Sequence, residues 1–173
     1  MKELIDRALD AAERGGATYT EVRIAERETE QLTVKNGALE AATSAASGGF
    51  GIRVLVDGAW GFSSSRLVEP AEGDRVAAEA LEIARASGRA RRTPVELDDT
   101  PPVVDVYRTP HEVDPFEVSL DEKLRILTEA DEIMGRVPGV AIRESSISIG
   151  RERKTFASNA GAMIEQEIVE AGA

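Results

Sequence analysis

Cysteine is absent from this chain, and its 173 residues include one histidine and one tryptophan. Without thiols there are no disulfides and no thiolate metal ligands. A zinc site built on the sole imidazole, His111, would have to rely on carboxylates alone, which zinc seldom does. Aromatic residues make up only 4% of the chain, so each one needs a structural reason. No apolar run approaches the ~20 residues that span a bilayer. The charged, amphipathic start MKELIDRALDAAERGG lacks the apolar run of a signal peptide. These absences point to a cytoplasmic protein with no membrane partner. Acidic residues outnumber basic ones by 32 to 21, a net charge of −11. Such a chain repels phosphate backbones, so nucleic acid is not an expected partner.

What the chain does carry is clear periodicity. Leu4, Ile5, Ala8, Leu9 and Ala12 recur at helical spacing, which predicts a helix over 2–14 ended by Gly15 and Gly16. The period then drops to two. In TYTEVRIAE, Val22 and Ile24 point one way and Glu21 and Arg23 the other. Asn36-Gly37 and Asp57-Gly58 are strong two-residue turn signals. The first pairs Val34 with Leu39 and Leu32 with Ala41 on one face. The second pairs Leu55 with Trp60 and Arg53 with Phe62, leaving Ile52, Val54 and Val56 on the opposite face. This second hairpin is apolar on both sides, whereas an ordinary one-sided sheet leaves one side polar. A cover for Leu55, Trp60 and Phe62 is therefore required. A helix of the same domain is the ordinary expectation. A second domain, a partner subunit or the wall of a substrate channel is the functional one.

A second helix is predicted from Glu69-Pro70 to Ser87, stopped by Gly88, and a third from Ser119, whose Ser119/Glu122 pair is a capping box. Leu120, Leu124, Leu127 and Met134 form the seam of the third. Residues 89–118 hold five of the seven prolines and no clear period, apart from the short strand candidate PVVDVYR. Arg85, Arg89, Arg91 and Arg92 at their start read as a solvated helix end or an anion site. VAIRESSISIG, RKTFASN and AMIEQEIVEAG are three further strand candidates, with a turn between the first two. The expected fold is α+β: a mostly antiparallel, hairpin-rich sheet with about three helices packed on it. The chain reads as one domain over 1–173: helix, two hairpins and helix in 1–88, a Pro-rich excursion in 89–118, and a helix and strand meander in 119–173.

TPHEVDPF at 109–116 begins like a zinc-peptidase helix but does not continue as one. Positions four and five after His111 are Pro115 and Phe116, and Pro110 and Pro115 oppose an unbroken helix. It reads as loop, and no catalytic or metal-binding residue is expected in the chain. Gln166 shares a strand face with Ile164 and Ile168, so its amide needs partners. Backbone groups of its own domain, or a bound peptide backbone, could supply them. Arg53, Leu55, Trp60, Phe62 and Gln166 are thus the candidate contacts for substrate or a neighbouring domain.

In order along the chain, GGATYTEVRI, VKNGALE, GIRVLVDGAWGFSSS, PVVDVYRTPHEVDPFEVSLDEK and ERKTFASNAGAMIEQ resemble the N-terminal domain of the TldD/PmbA family, also called modulator of DNA gyrase or peptidase U62. The TP…DPF stretch and GAWGF look more like its TldD branch. The resemblance implies a cytoplasmic, two-domain metallopeptidase acting on unfolded peptides. Its HExxxH motif, with zinc or another divalent metal, would lie in a C-terminal domain absent from this chain. Its partners would be that domain, a PmbA-like subunit or further copies of itself, and a peptide substrate. The other reading is a non-catalytic binding module or regulator, for example of DNA gyrase, acting through its acidic surface.

Overall fold

The computed structural model describes residues 1–173. Its elements are α1 (Lys2–Arg14), β1 (Tyr19–Lys35), β2 (Ala38–Val56), β3 (Ala59–Ser65), α2 (Pro70–Ala90), β4 (Val104–Arg108), α3 (Leu120–Gly135), β5 (Glu144–Ser158) and β6 (Met163–Gly172). The six strands form one mostly antiparallel sheet in the order β3-β2-β1-β5-β6-β4, which with three helices makes an α+β fold. Both two-residue turns have positive φ at each centre, 49° and 79° at Asn36 and Gly37, 46° and 75° at Asp57 and Gly58. That is the mirror-image turn whose twist matches flanking strands. β2 and β3 pair antiparallel with Leu55 opposite Trp60 and Arg53 opposite Phe62, the register the turn predicts.

Strands run longer than the periodicity suggested. β1 continues through 27–31 and β2 through 42–49, where apolar alternation lapses. No turn separates ISIG from RKTF, and β5 is continuous across Gly150. α2 likewise passes through Gly88 to Ala90. A helical glycine costs only about 1 kcal/mol relative to alanine, and the break falls instead at Arg91, which is extended three residues ahead of Pro94.

The chain divides into two compact units, each assembled from separated segments. Unit 1 comprises 1–26, 48–107 and 153–166. Its core joins Leu4, Ile5, Ala8 and Ala12 of α1 to Val76, Ala77, Ala80 and Ala84 of α2, over Val22, Ile24, Ile52, Val54 and Val56 of the sheet. α2 lies directly on β3 because Gly61 has no side chain: a Cβ there would sit 2.0 Å from the Ala80 carbonyl oxygen. Two of the four clustered arginines serve the backbone, Arg85 donating to the Gly15 carbonyl at 2.8 Å and Arg91 to that of Asp57.

Unit 2 comprises 27–47, 108–152 and 167–173. Its core is Leu32 and Val34 of β1, Leu127 of α3, and Ile147 and Ile149 of β5, with Phe116 and Leu124 packed against them. Ser119 caps α3 as predicted, accepting from the Glu122 amide at 3.2 Å. The α3 seam differs from the expected one. Its buried positions are Lys123, Leu127 and Asp131, while Leu120 is exposed. The two charged groups are tolerated because each is paired, Lys123 with Glu30 at 2.5 Å and Asp131 with Arg143 at 3.1 Å. Leu39 is exposed, and this core draws on β1, α3 and β5 and takes nothing from β2.

Candidate functional site

The outer face of the β2–β3 hairpin is covered, but not by a helix as expected. Both helices of unit 1 pack on the inner face, with Ile52, Val54 and Val56. Across the outer face runs a strap without regular secondary structure, residues 95–103. Proline stiffens it: Pro94 precedes it and Pro101-Pro102 lie within it, and each restricts its own φ and the conformation of the residue before it, while the Thr100 amide donates to the Asp98 carbonyl at 2.9 Å in a tight turn. The strap is tied at both ends. The Val95 amide donates to the Gly58 carbonyl at 2.8 Å, and the Val103 carbonyl accepts from the Met163 amide at 2.9 Å.

Between strap and sheet lies a cavity of about 890 Å³. Arg53, Leu55 and Trp60 line it together, with Tyr19, Phe156 and Ile164. Phe62 and Gln166 do not. Phe62 remains exposed, with its ring over Gly51, and Gln166 is half-buried on β6 outside the lining.

The floor is organised by a residue that the sequence reading left on a polar face. Glu21 is 4% exposed. Its carboxylate accepts from the Tyr19 hydroxyl at 3.2 Å and from the Arg53 guanidinium at 3.1 Å, and pairs with Arg23 at 3.1 Å. Arg53 stacks over Trp60 with 4.4 Å to the ring centroid, and Arg23 lies over Phe156 at 5.4 Å. Tyr19 meets Trp60 edge-on, centroids 6.0 Å apart. Burial, then the Glu21 charge, pushes the Tyr19 phenol above its ordinary range, so it stays a hydrogen-bond donor at neutral pH. The alternation of Tyr19, Glu21 and Arg23 was the available signal. The pairing with Arg53, thirty-two residues away, was not.

In unit 2 the TPHEVDPF stretch is a clamp. The Thr109 amide donates to the Glu167 carbonyl at 2.9 Å, and the Thr109 hydroxyl accepts from the Val169 amide at 3.2 Å. Asp114 accepts from the Phe116 amide at 2.9 Å and pairs with Arg151, whose guanidinium lies 4.5 Å over the Phe116 ring. Arg151 also reaches Glu28 and Glu167, each at 3.5 Å. His111 is exposed, and its Nδ1 lies 2.9 Å from the Thr109 carbonyl oxygen. These residues do not fit a metal, because the one imidazole faces a backbone carbonyl and the nearby carboxylate is held by an arginine. No group of three or more His, Asp or Glu side chains is gathered to hold an ion.

The Phe116 amide first, and the Arg151 charge after it, hold the Asp114 carboxyl below the usual carboxylate range. A carboxyl depressed in the folded state adds stability that is complete above its unfolded value and is lost as pH falls through its folded value. Urea midpoints are therefore expected to fall on acidification from neutral pH, and Asp114→Asn to fall less. Equal acid losses in the two proteins would show that Asp114 carries none of the effect.

Residues 20–84 match the family model described as PmbA/TldA metallopeptidase domain 1. A metalloprotease of Methanocaldococcus jannaschii is 26% identical over 152 residues, covering 87% of this chain and 33% of the relative. A metalloprotease of Methanothermobacter thermautotrophicus is 27% identical over 147 residues, covering 85% and 31%. Among solved structures, a Thermotoga maritima protein labelled a modulator of a DNA gyrase superposes with a TM-score of 0.73 at 21% identity, over 98% of this chain and 38% of that one. TldE from Thermococcus kodakarensis gives 0.72 at 16%, over 97% and 37%. These superpositions show a shared fold. The sequence matches show likeness to metalloproteases, with the first-domain match confined to residues 20–84. Residues 20–84 are thus similar to the first domain of the PmbA/TldA metallopeptidases. The chain spans about a third of the length of the curated relatives it matches. No helix is long and apolar enough to cross a membrane.

Proposed function

We propose that this chain serves as the non-catalytic, substrate-contacting domain of a TldD-like metallopeptidase that degrades unfolded peptides. The observation that carries this reading is the match to a metallopeptidase first domain by a chain spanning a third of its metalloprotease relatives. In the longer protein, zinc or another divalent metal would be held outside these 173 residues. The face bearing Arg53, Leu55 and Trp60 would line the route of the peptide. Phe62 and Gln166, which lie away from the cavity, would contact the remaining domain or a second subunit, either PmbA-like or another copy.

The test compares this chain alone with the chain joined to the rest of its reading frame, each with and without a PmbA-like partner, on an unstructured peptide. Cleavage that is abolished by a chelator is expected only where the longer chain is present. Turnover by the 173 residues alone would overturn the reading, as would an inert full-length pair supplied with zinc.

A further inference from the structure

The cavity beneath the strap has a polarity that the proposed peptide contact does not by itself specify. Its volume, about 890 Å³, falls within the roughly 300–1,000 Å³ of small-ligand pockets. The floor is apolar and aromatic, formed by Leu55, Trp60, Phe156 and Ile164. The strap contributes Glu96, Asp98 and Asp99 to the opposite wall. No lysine or arginine occurs from Thr93 to Tyr107. Arg53 is the one cation in the lining, and it is already held by Glu21 and stacked on Trp60. The negative charge of the strap thus has no answering cation inside the cavity, while the floor offers apolar contact without a free positive group.

We propose that this cavity binds an extended peptide segment through a lysine or arginine side chain. The aliphatic stem lies along Leu55, Ile164 and the free edge of Trp60, and its charged head meets Asp98, Asp99 and Glu96. Long basic side chains combine an apolar stem and a charged tip in this way. An acidic segment would face three like charges, so the site discriminates by repulsion as well as attraction. The inference narrows the peptide-contact reading above to a class of peptide, but it concerns binding to this chain and stands apart from catalysis elsewhere.

Trp60 is the only tryptophan, so its emission reports the site directly. The 173-residue chain would be titrated with the hexapeptide Ala-Lys-Leu-Lys-Ala-Leu and with the same peptide carrying Glu for Lys. Saturable change is expected with the basic peptide alone, weakening by about tenfold or more in roughly 0.5 M salt as screening sets in. Asp98→Asn with Asp99→Asn should bring a comparable loss at low salt. Both sites are exposed on the strap, and an unchanged melting curve would confirm that the variant folds. No saturable response to the basic peptide would overturn the proposal. So would equal response to both peptides, or a double variant that binds as tightly as the parent. Failure of the cleavage test leaves this measurement unaffected.

Discussion

Replacing Gly61 with alanine is expected to destabilise the protein by about 3 kcal/mol, the upper end of core overpacking. The added Cβ would fall 2.0 Å from the Ala80 carbonyl oxygen, 2.5 Å from the Ala84 nitrogen and 2.8 Å from the Ala84 Cβ. Two of these are backbone atoms of α2, so no rotamer change relieves the contact. The helix must lift from β3, and the adjoining contacts of Val76, Ala77 and Ala80 go with it. For a chain of this size the melting temperature should drop by roughly 6–12 °C. Gly150→Ala is the control. Nothing lies within 4 Å of its added Cβ and its φ is not positive, so its midpoint should stay near that of the parent. A Gly61→Ala protein that melts within a degree or two of the parent would refute the helix placement.

The second large effect is expected at Arg151. Its side chain is 12% exposed and stands among the carboxylates of Asp114, Glu28 and Glu167, with the Phe116 ring beneath. Arg151→Ala removes a cation that stands beside three carboxylates, Asp114, Glu28 and Glu167. Breaking a buried pair from one side costs about 3–5 kcal/mol. The partial exposure of these acids reduces the figure here to about 2–3 kcal/mol. Arg151→Lys should restore less than half, since a point charge can neither fork to several carboxylates nor stack on a ring. Raising salt should narrow the gap between parent and Arg151→Ala. Full rescue by lysine in urea melts would show that net charge alone matters.

Local devices were readable from the sequence because each is decided within a few residues. The α1 stripe, both positive-φ turns and the Ser119 cap depend on spacing and on backbone chemistry at single sites. The two faces of the 50–65 hairpin followed from its turn alone. What escaped was decided at long range. Glu21 is buried with Arg53 reaching it from β2, thirty-two residues away, and no spacing within β1 reveals that. The cover over Leu55 and Trp60 is an irregular, proline-containing strap, and irregular backbone leaves no period to detect. Strand length was underread where β2 passes through ATSAASGG, because exposed strand positions need no alternation. Within the candidate site, Arg53, Leu55 and Trp60 shared a face by pattern. Phe62 shared it too, yet it lies where the strap does not reach.

Unit 1 closes its core with Ala157, which packs in one cluster with Leu4 and Ile5 from the start of the chain. These cluster members lie some 150 residues apart in sequence, so a growing polypeptide cannot complete the cluster until Ala157 has left the ribosome. Closing so long a loop is entropically costly and slow. The early helices must wait, with part of their apolar stripes uncovered, for β5 to be made. Refolding of these 173 residues is therefore expected to be slow, and translation to favour holding by a chaperone over stepwise assembly.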